Sequence, residues 1–326
     1  MTKVAFITTR IDRPSTRYRI TQIIPFLQKE GIKCEVFVYP KDIISKLIFS
    51  LKFKKFDYVI LQRKLISKLE FFLLKKNTKN LIFEFDDSLI YEDSNKDAII
   101  SEKKKRRFDY IISHSDQIIA GNKYLKKLAT QNTKTIIIPT TVDINKYTTK
   151  KTISSSDKIV LGWIGSSSTL IYLKNISNLL DILYEKHPNI SLKIVCNNFF
   201  DTNKIPLIKK EWKISDEIND LHSFDIGLMP LTDDLWTKGK CGFKLIQYMA
   251  CGISSVCSPV GVNKEIIIDG VNGFHAQTKE EWIQKLSRLI DDNNLRLTLG
   301  QNARKTIEEK YSTQSVIKKY INIVFQ

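Results

Sequence analysis

Short apolar runs rich in branched and aromatic residues alternate along this chain with stretches whose apolar residues recur at helical spacing. In the first half the runs are Val4 to Thr8, Cys34 to Val38, Tyr58 to Leu61, Leu81 to Phe85, Ile118 to Ala120 and Ile136 to Pro139. Between them, segments such as Thr16 to Glu30 and Asn122 to Ala129 carry the helical pattern. This alternation predicts a mainly parallel, doubly wound sheet. Lys146 to Asp157 (KYTTKKTISSSD) is polar, rich in Ser and Thr and without apolar periodicity, which marks a linker. A second series follows: Ile159 to Trp163, Leu192 to Val195, Ile226 to Met229 and Ser254 to Cys257. Gly252 is placed to cap a helix read from Cys241 to Cys251, and Gly270 and Gly273 punctuate the turn before Thr278 opens the next helix. The expectation is an α/β protein with one domain over 1–150, a second over 151–312 and an amphipathic terminal segment over 313–326.

Composition narrows the class only a little. With 326 residues, 42% hydrophobic and 27% charged, the chain is neither a disordered tail nor a fibre, and each domain is long enough to bury its own core. No apolar run approaches the roughly 18 residues of a membrane-spanning helix, and Lys3 to Thr8 is too short for a signal peptide, so a cytoplasmic location is expected. Cys34, Cys196, Cys241, Cys251 and Cys257 are odd in number and scattered, without CxxC spacing, so they read as reduced, packed thiols.

Charge changes the picture more. The net of +17 is unevenly shared: residues 1–150 hold 30 Lys and Arg against 16 Asp and Glu, whereas the remainder holds 22 against 19. An acidic partner is therefore expected on the N-terminal half, and nucleic acid, anionic lipid or a phosphorylated acceptor would each serve.

One stretch is more specific. Phe224 to Gly273 reads as strand, lysine-bearing loop, helix, strand, helix and turn. Within it, CGFKLIQYMACGISSVCSPVGVNKEIIIDGVNG resembles the run FG…LLEAMACG.PVV.S..GG..E...DG..G of retaining glycosyltransferases of family 4. The resemblance implies the GT-B fold: two facing Rossmann-like domains, the C-terminal one for a nucleotide sugar and the N-terminal one for the acceptor. It also implies a last helix crossing back to the N-terminal domain, no metal, no resident cofactor, and transfer with retention from a UDP- or GDP-linked sugar. The expected acceptor is a glycan or lipid-linked glycan, in surface polysaccharide or glycoprotein biosynthesis.

Candidate site residues follow from both readings. Lys238, Lys240 and Lys244 stand at the start of the Cys241 helix, where cations oppose the helix dipole unless an anion sits between them; Lys240 and Lys244 are spaced to share one face. The family's two glutamates are replaced here by Gly239 and Gln247; by resemblance Gln247 would bind the ribose and Glu265 would reach the donor side. Gly165 and Ser166 stand in the loop GWIGSSST (162–169), where by resemblance relatives often place an Arg and a Lys. Glycine, hydroxyls and helix amides can cradle phosphate, and an ordinary Ser N-cap is the other reading.

In the N-terminal half, Arg10, Arg13, Arg17 and Arg19 make up four of only ten arginines, gathered in one loop. Arginine's fork suits bidentate phosphate or carboxylate, so Arg10, Arg17 and Arg19 are candidate acceptor contacts; local pairing with Asp12 is the bland alternative. Asp86 and Asp87 follow the strand Leu81 to Phe85 and are the candidate catalytic carboxylates, with Lys240 and Lys244 stabilising the leaving diphosphate; the alternative is a helix N-cap. Glu84-Phe85-Asp86 mimics a metal-binding DxD only superficially. His114, read as lying within a helix, is taken as structural. Between Asp42 and Lys79 apolar residues run beside eight lysines, a pattern that could rest on an anionic membrane surface or cover an ordinary core. No nucleic-acid module is recognisable, so no specific nucleic acid is expected. A nucleotide-sugar enzyme without transfer, epimerase-like, is the alternative from the same fold, and a basic nucleic-acid binder is the alternative from another class.

Overall fold

The computed structural model describes residues 1–91, 99–150 and 158–325. Two compact units emerge. Unit 1 comprises Met1–Thr141, Asp234–Cys241 and Thr313–Gln326; unit 2 comprises Val142–Asp233 and Gly242–Ser312.

In unit 1 the strands are β1 (Lys3–Thr8), β2 (Lys33–Val38), β3 (Tyr58–Gln62), β4 (Asn80–Phe85), β5 (Gln117–Ala120) and β6 (Thr135–Ile137). They form one sheet in the order β2-β1-β3-β4-β5-β6, and every pairing is parallel. Its helices are α1 (Pro14–Thr16), α2 (Ile24–Lys29), α3 (Ile43–Phe49), α4 (Lys68–Lys76), α5 (Glu102–His114) and α6 (Lys123–Leu128). Alternation along the strands sends Phe83 and Phe85 into the core under α5, and Ile82 and Glu84 to the opposite face. His114 is the last residue of α5 rather than a mid-helix one; it is exposed and bonded to Ser113 and the Tyr110 carbonyl, a local structural role.

Unit 2 repeats the plan with β7 (Ile159–Ile164), β8 (Ile190–Val195), β9 (Leu207–Lys210), β10 (Ile226–Met229), β11 (Ser254–Cys257) and β12 (Phe274–His275), again all parallel, in the order β12-β11-β10-β7-β8-β9. Its helices are α7 (Ser167–Lys174), α8 (Ser177–Lys186), α9 (Glu217–His222), α10 (Phe243–Ala250), α11 (Asn263–Ile266), α12 (Lys279–Asp291) and α13 (Asn293–Lys310). The final helix, α14 (Thr313–Val324), belongs to unit 1, where Ile317, Tyr320 and Val324 pack with Val4, Phe6 and Leu27.

β9 and β12 are too short and too polar to announce themselves by pattern; pairing to a finished neighbour makes them strands. The segment read as a linker is partly interior: Tyr147 is fully buried and its hydroxyl donates to Glu217 at 2.6 Å. The units therefore divide at 141/142, not at 150/151, while 151–157 of that linker lie outside the described residues.

Candidate functional site

In a parallel sheet the loops at the C-terminal strand ends carry the chemistry, and both units place their candidate residues there. In unit 1, β1, β3 and β4 are neighbours, so the loops after Thr8, Gln62 and Phe85 converge. The first is pinned by a buried network: Thr8 Oγ1 lies 2.7 Å from Thr16 Oγ1, and Thr16 Oγ1 donates to Gln62 Oε1 at 2.9 Å.

Beyond that network the arginines part company. Arg19 turns inward on a π-helical turn, Arg17–Thr21, and is 7% exposed. Its Nε donates to Glu84 at 2.5 Å and its Nη1 to the Ile138 carbonyl at 2.9 Å. Burial alone would lower the guanidinium pKa, but Glu84 and Asp86 more than offset it and leave it raised; burial also pushes the Glu84 carboxyl up. Arg19 is thus a structural ion pair and not an acceptor contact, which corrects the sequence-based assignment. Arg10 is exposed and forks onto Asp12, the local pairing that was the bland alternative. Arg17 lies over the Tyr18 ring at 4.8 Å.

No helix follows Asp86 and Asp87 directly, so the N-cap reading of this pair falls away. Their partner is a residue the sequence reading missed. Arg63, directly after β3, holds a left-handed backbone (φ 56°) and donates to Asp86 at 2.7 Å and to Asp87 at 3.2 Å. Non-glycine residues adopt that region rarely, and here it aims one guanidinium at two carboxylates. Burial would depress the Arg63 pKa, but Asp86, Asp87 and Glu84 raise it instead. The signal that drew attention to Arg10–Arg19 was four arginines gathered in one loop, and Arg63, alone among lysines, did not share it.

Asp87 also takes Lys240, whose ammonium stands 3.2 Å from its Oδ1 and 3.2 Å from the centroid of the Trp236 ring. Burial lowers the Lys240 pKa against the opposing pull of Asp87. Asn122 holds this loop: its Nδ2 lies 3.4, 3.3 and 2.9 Å from the carbonyls of Lys238, Gly239 and Lys240, while its Oδ1 caps α6 at Leu125 N. Two findings correct the reading of the lysines. α10 opens at Phe243, after Gly242 at φ 65°, so Lys240 precedes the helix and shares no face with Lys244. Moreover, Lys240 belongs to unit 1 and Lys244 to unit 2.

Unit 2 assembles a different arrangement. β7 ends at Ile164, Gly165 follows, and α7 begins after Ser166, which makes no side-chain cap to the helix; the N-cap reading therefore fails for its hydroxyl, which sits 3.0 Å from Ser168 Oγ. Lys244, in the first turn of α10, reaches across this loop. Its Nζ donates to Thr169 Oγ1 at 3.3 Å and lies 5.3 Å from the Trp163 ring centroid. A Cβ on Gly165 would come within 2.5 Å of Lys244 Cε, so glycine is what lets the lysine stem pass. Gly165, Ser166 and Lys244 are thus brought together at a helix N-terminus, where an anion is favoured.

Gln247 is not at that loop's surface. It is 3% exposed, its Nε2 donates to Tyr147 Oη at 3.2 Å, and Tyr147 in turn donates to Glu217. The expected ribose contact is corrected to a link in a buried polar chain. Glu265 is exposed on the short helix α11. The end of α10 follows expectation: Gly252, at φ 70°, and Ile253 return their N–H groups to Met249 and Tyr248, closing a Schellman cap.

A cavity of about 610 Å³ in unit 2 lies by the opposite strand ends, lined by Ile159, Asp225, Ser254 and Arg296 among others. Of the cations lining it, Lys150 pairs with Asp225, and Arg296 bonds the carbonyls of Leu289 and Ile290. All five cysteines are free thiols; burial pushes Cys251 up to about 12 and Cys34 up to about 11. Among the described residues, no group of three or more His, Cys, Asp or Glu is placed to hold a metal, and no helix is long and apolar enough to cross a membrane.

Residues 216–306 match the family model described as Glycosyl transferases group 1. The chain is 26% identical over 281 residues to the uncharacterized glycosyltransferase MJ1069 of Methanocaldococcus jannaschii, across 86% of this chain and 61% of that protein. It is 24% identical over 193 residues to the capsular polysaccharide biosynthesis glycosyltransferase CapM of Staphylococcus aureus, across 54% and 48% of the two chains. The chain thus spans about three fifths or less of the length of these two curated relatives. Among solved structures it is similar to Anabaena Alr3699/HepE in complex with UDP and glucose, with a TM-score of 0.72 at 15% identity over 99% of both chains. Two all-parallel six-stranded sheets and these neighbours agree with the GT-B class of α/β fold.

Proposed function

We propose that this chain, which carries the glycosyl transferases group 1 segment, moves a sugar from a nucleoside diphosphate donor to a glycan or lipid-linked glycan, with retention, in surface polysaccharide or glycoprotein assembly. The observation that carries the reading is Lys244, which lies within the matched residues 216–306, laid across Gly165 just before α7. A diphosphate there would accept from the α7 amides and the Ser166 hydroxyl, while Lys244 would take the charge that grows on the departing phosphate. Lys244 reaches over the loop in which relatives of the resembled family often place an Arg and a Lys. Glu265 keeps its assignment to the donor side.

Unit 1 supplies the acceptor groups. Asp87, held by Arg63 and Lys240, is fixed in orientation and offers its carboxylate to an acceptor hydroxyl; Arg63 and Lys240 are positioning residues for it. Arg10 and Arg17 remain the candidate contacts for acceptor phosphate or carboxylate. No step requires a metal or a resident cofactor.

UDP is the first nucleotide to try, because the Anabaena protein was solved with it. Calorimetric titration with UDP and GDP should give micromolar binding of one of them, weakened at least about tenfold in Lys244→Ala. Proton NMR of the product sugar would then show whether the anomeric configuration is kept. Binding of neither nucleotide would remove the donor-site assignment. Turnover of a nucleotide sugar with no acceptor present would favour the epimerase-like alternative.

A further inference from the structure

The helix α3 is built the wrong way round for a core helix. Its inward face is Phe49, continued by Phe53 on the following turn, Ser50–Phe53. These two rings pack edge-on with Phe37, at centroid distances of 6.5 and 5.2 Å, and with each other at 5.0 Å. That contact anchors the helix. The opposite side carries Ile43, Ile44, Leu47, Ile48 and Leu51, the i, i+1, i+4, i+5, i+8 stripe of a helix face, and all five are between 44% and 75% exposed. On α4, which packs beside α3, Leu69 and Phe72 are exposed as well. Isolated exposed apolar residues are ordinary; a continuous stripe on one helix is not.

The charge around the stripe identifies what covers it. Residues 41–55 hold Lys41, Lys46, Lys52, Lys54 and Lys55 against one acid, Asp42. Asp42 is occupied as the α3 N-cap, accepting from Ser45 N at 2.7 Å. Lys41, Lys52, Lys54 and Lys55 are exposed. A second copy of this chain would bring the same lysines face to face across a two-fold axis, with repulsion on both sides. A surface of closely spaced phosphates beneath which apolar material is reachable matches both parts of the pattern.

We propose that α3 docks on an anionic bilayer surface, with the Ile43, Ile44, Leu47, Ile48 and Leu51 stripe entering the acyl boundary and the lysines at the lipid phosphates. The docking does not depend on the sugar chemistry proposed above. It places unit 1 against the membrane.

The test is co-sedimentation of the full chain with phosphatidylglycerol-containing vesicles and with vesicles of phosphatidylcholine alone. Binding to the anionic vesicles should exceed that to the neutral ones by about tenfold or more and fall with added salt. The exposed-site variant Ile44→Glu/Ile48→Glu should lose it by a similar factor while keeping the parent circular dichroism and thermal midpoint. Replacing Lys52, Lys54 and Lys55 with Gln should weaken binding and flatten its salt dependence. Absence of binding at low salt, equal binding of the Ile44→Glu/Ile48→Glu variant, or equal binding to both vesicle types would overturn the proposal. So would a dimer in light scattering that ignores vesicles and dissolves in the same variant.

Discussion

Lys240 and Lys244 lie four positions apart in the sequence, yet the fold sends them into different environments. Lys240 sits in a loop of unit 1 over Trp236, with its charge answered by Asp87, which Arg63 also holds. Lys244 sits on the first turn of a unit 2 helix, its stem over Trp163 and its ammonium on a threonine hydroxyl beside the start of α7. Both lysines use an aromatic ring to support the stem. They differ in setting: Lys240 answers a carboxylate in a loop, whereas Lys244 stands beside the start of a helix, where an anion is favoured. The unit 1 network has two cations and two carboxylates in direct contact, so its charges are spent on one another. A diphosphate, as proposed, would gain most at the unit 2 loop, where the helix terminus adds to the lysine.

This contrast can be broken most severely from the unit 1 side. Arg19→Ala leaves Glu84 buried without its charge partner and should cost roughly 3–5 kcal/mol, read from the urea midpoint. A variant that unfolds at the parent midpoint would return Arg19 to the list of ligand contacts. Next in size is the pair itself. Lys244→Ala should weaken nucleotide diphosphate binding by at least about 1.4 kcal/mol, whereas Lys240→Ala should change it by under about 0.5 kcal/mol and lower transfer instead. Equal losses of nucleotide affinity in the two variants would dissolve the distinction.

Restoring the resembled family's glutamate at the first departure should not improve the enzyme. A Cβ on Gly239 would lie 1.9 Å from Ser88 Oγ, so Gly239→Glu is expected to destabilise by about 1–3 kcal/mol through overpacking, seen as a lower melting temperature. Raised stability or tighter nucleotide binding would contradict the packing argument. The smallest effect belongs to Arg10→Ala. With its side chain 63% exposed and paired with the similarly exposed Asp12, it should leave the melting temperature unmoved. Only its acceptor KM can then change, and an unchanged KM would release Arg10 from the acceptor site.

Much of the architecture was legible because parallel sheets write themselves as buried apolar runs. All ten strands expected from pattern are present within a residue or two, and the two missed, β9 and β12, are edge strands whose existence depends on a neighbour. Gly252 and Thr278 were placed correctly at helix ends, because capping uses residues next to each other in the chain. The site was less legible. Gly165, Ser166 and Lys244 were named and do converge, but Arg19 and Gln247 were named and turned out to be interior.

Local chemistry is carried by the sequence itself: which segments are strands, where helices stop, how basic the first half is, and that residues 224–273 bear a glycosyltransferase-like run. Direction and burial of a polar side chain are not. Four successive arginines in a loop are indistinguishable until a π-helical turn points Arg19 inward at Glu84. A lysine's partner is unknown until β3 and β4 lie side by side and bring Arg63, Asp86 and Asp87 together around it. An amphipathic helix between residues 43 and 51 predicts that an apolar stripe exists, and only the packing of Phe49 and Phe53 decides that it faces outward. Pairing of residues far apart in the chain is set by which surfaces the whole fold leaves uncovered, and no local pattern contains that information.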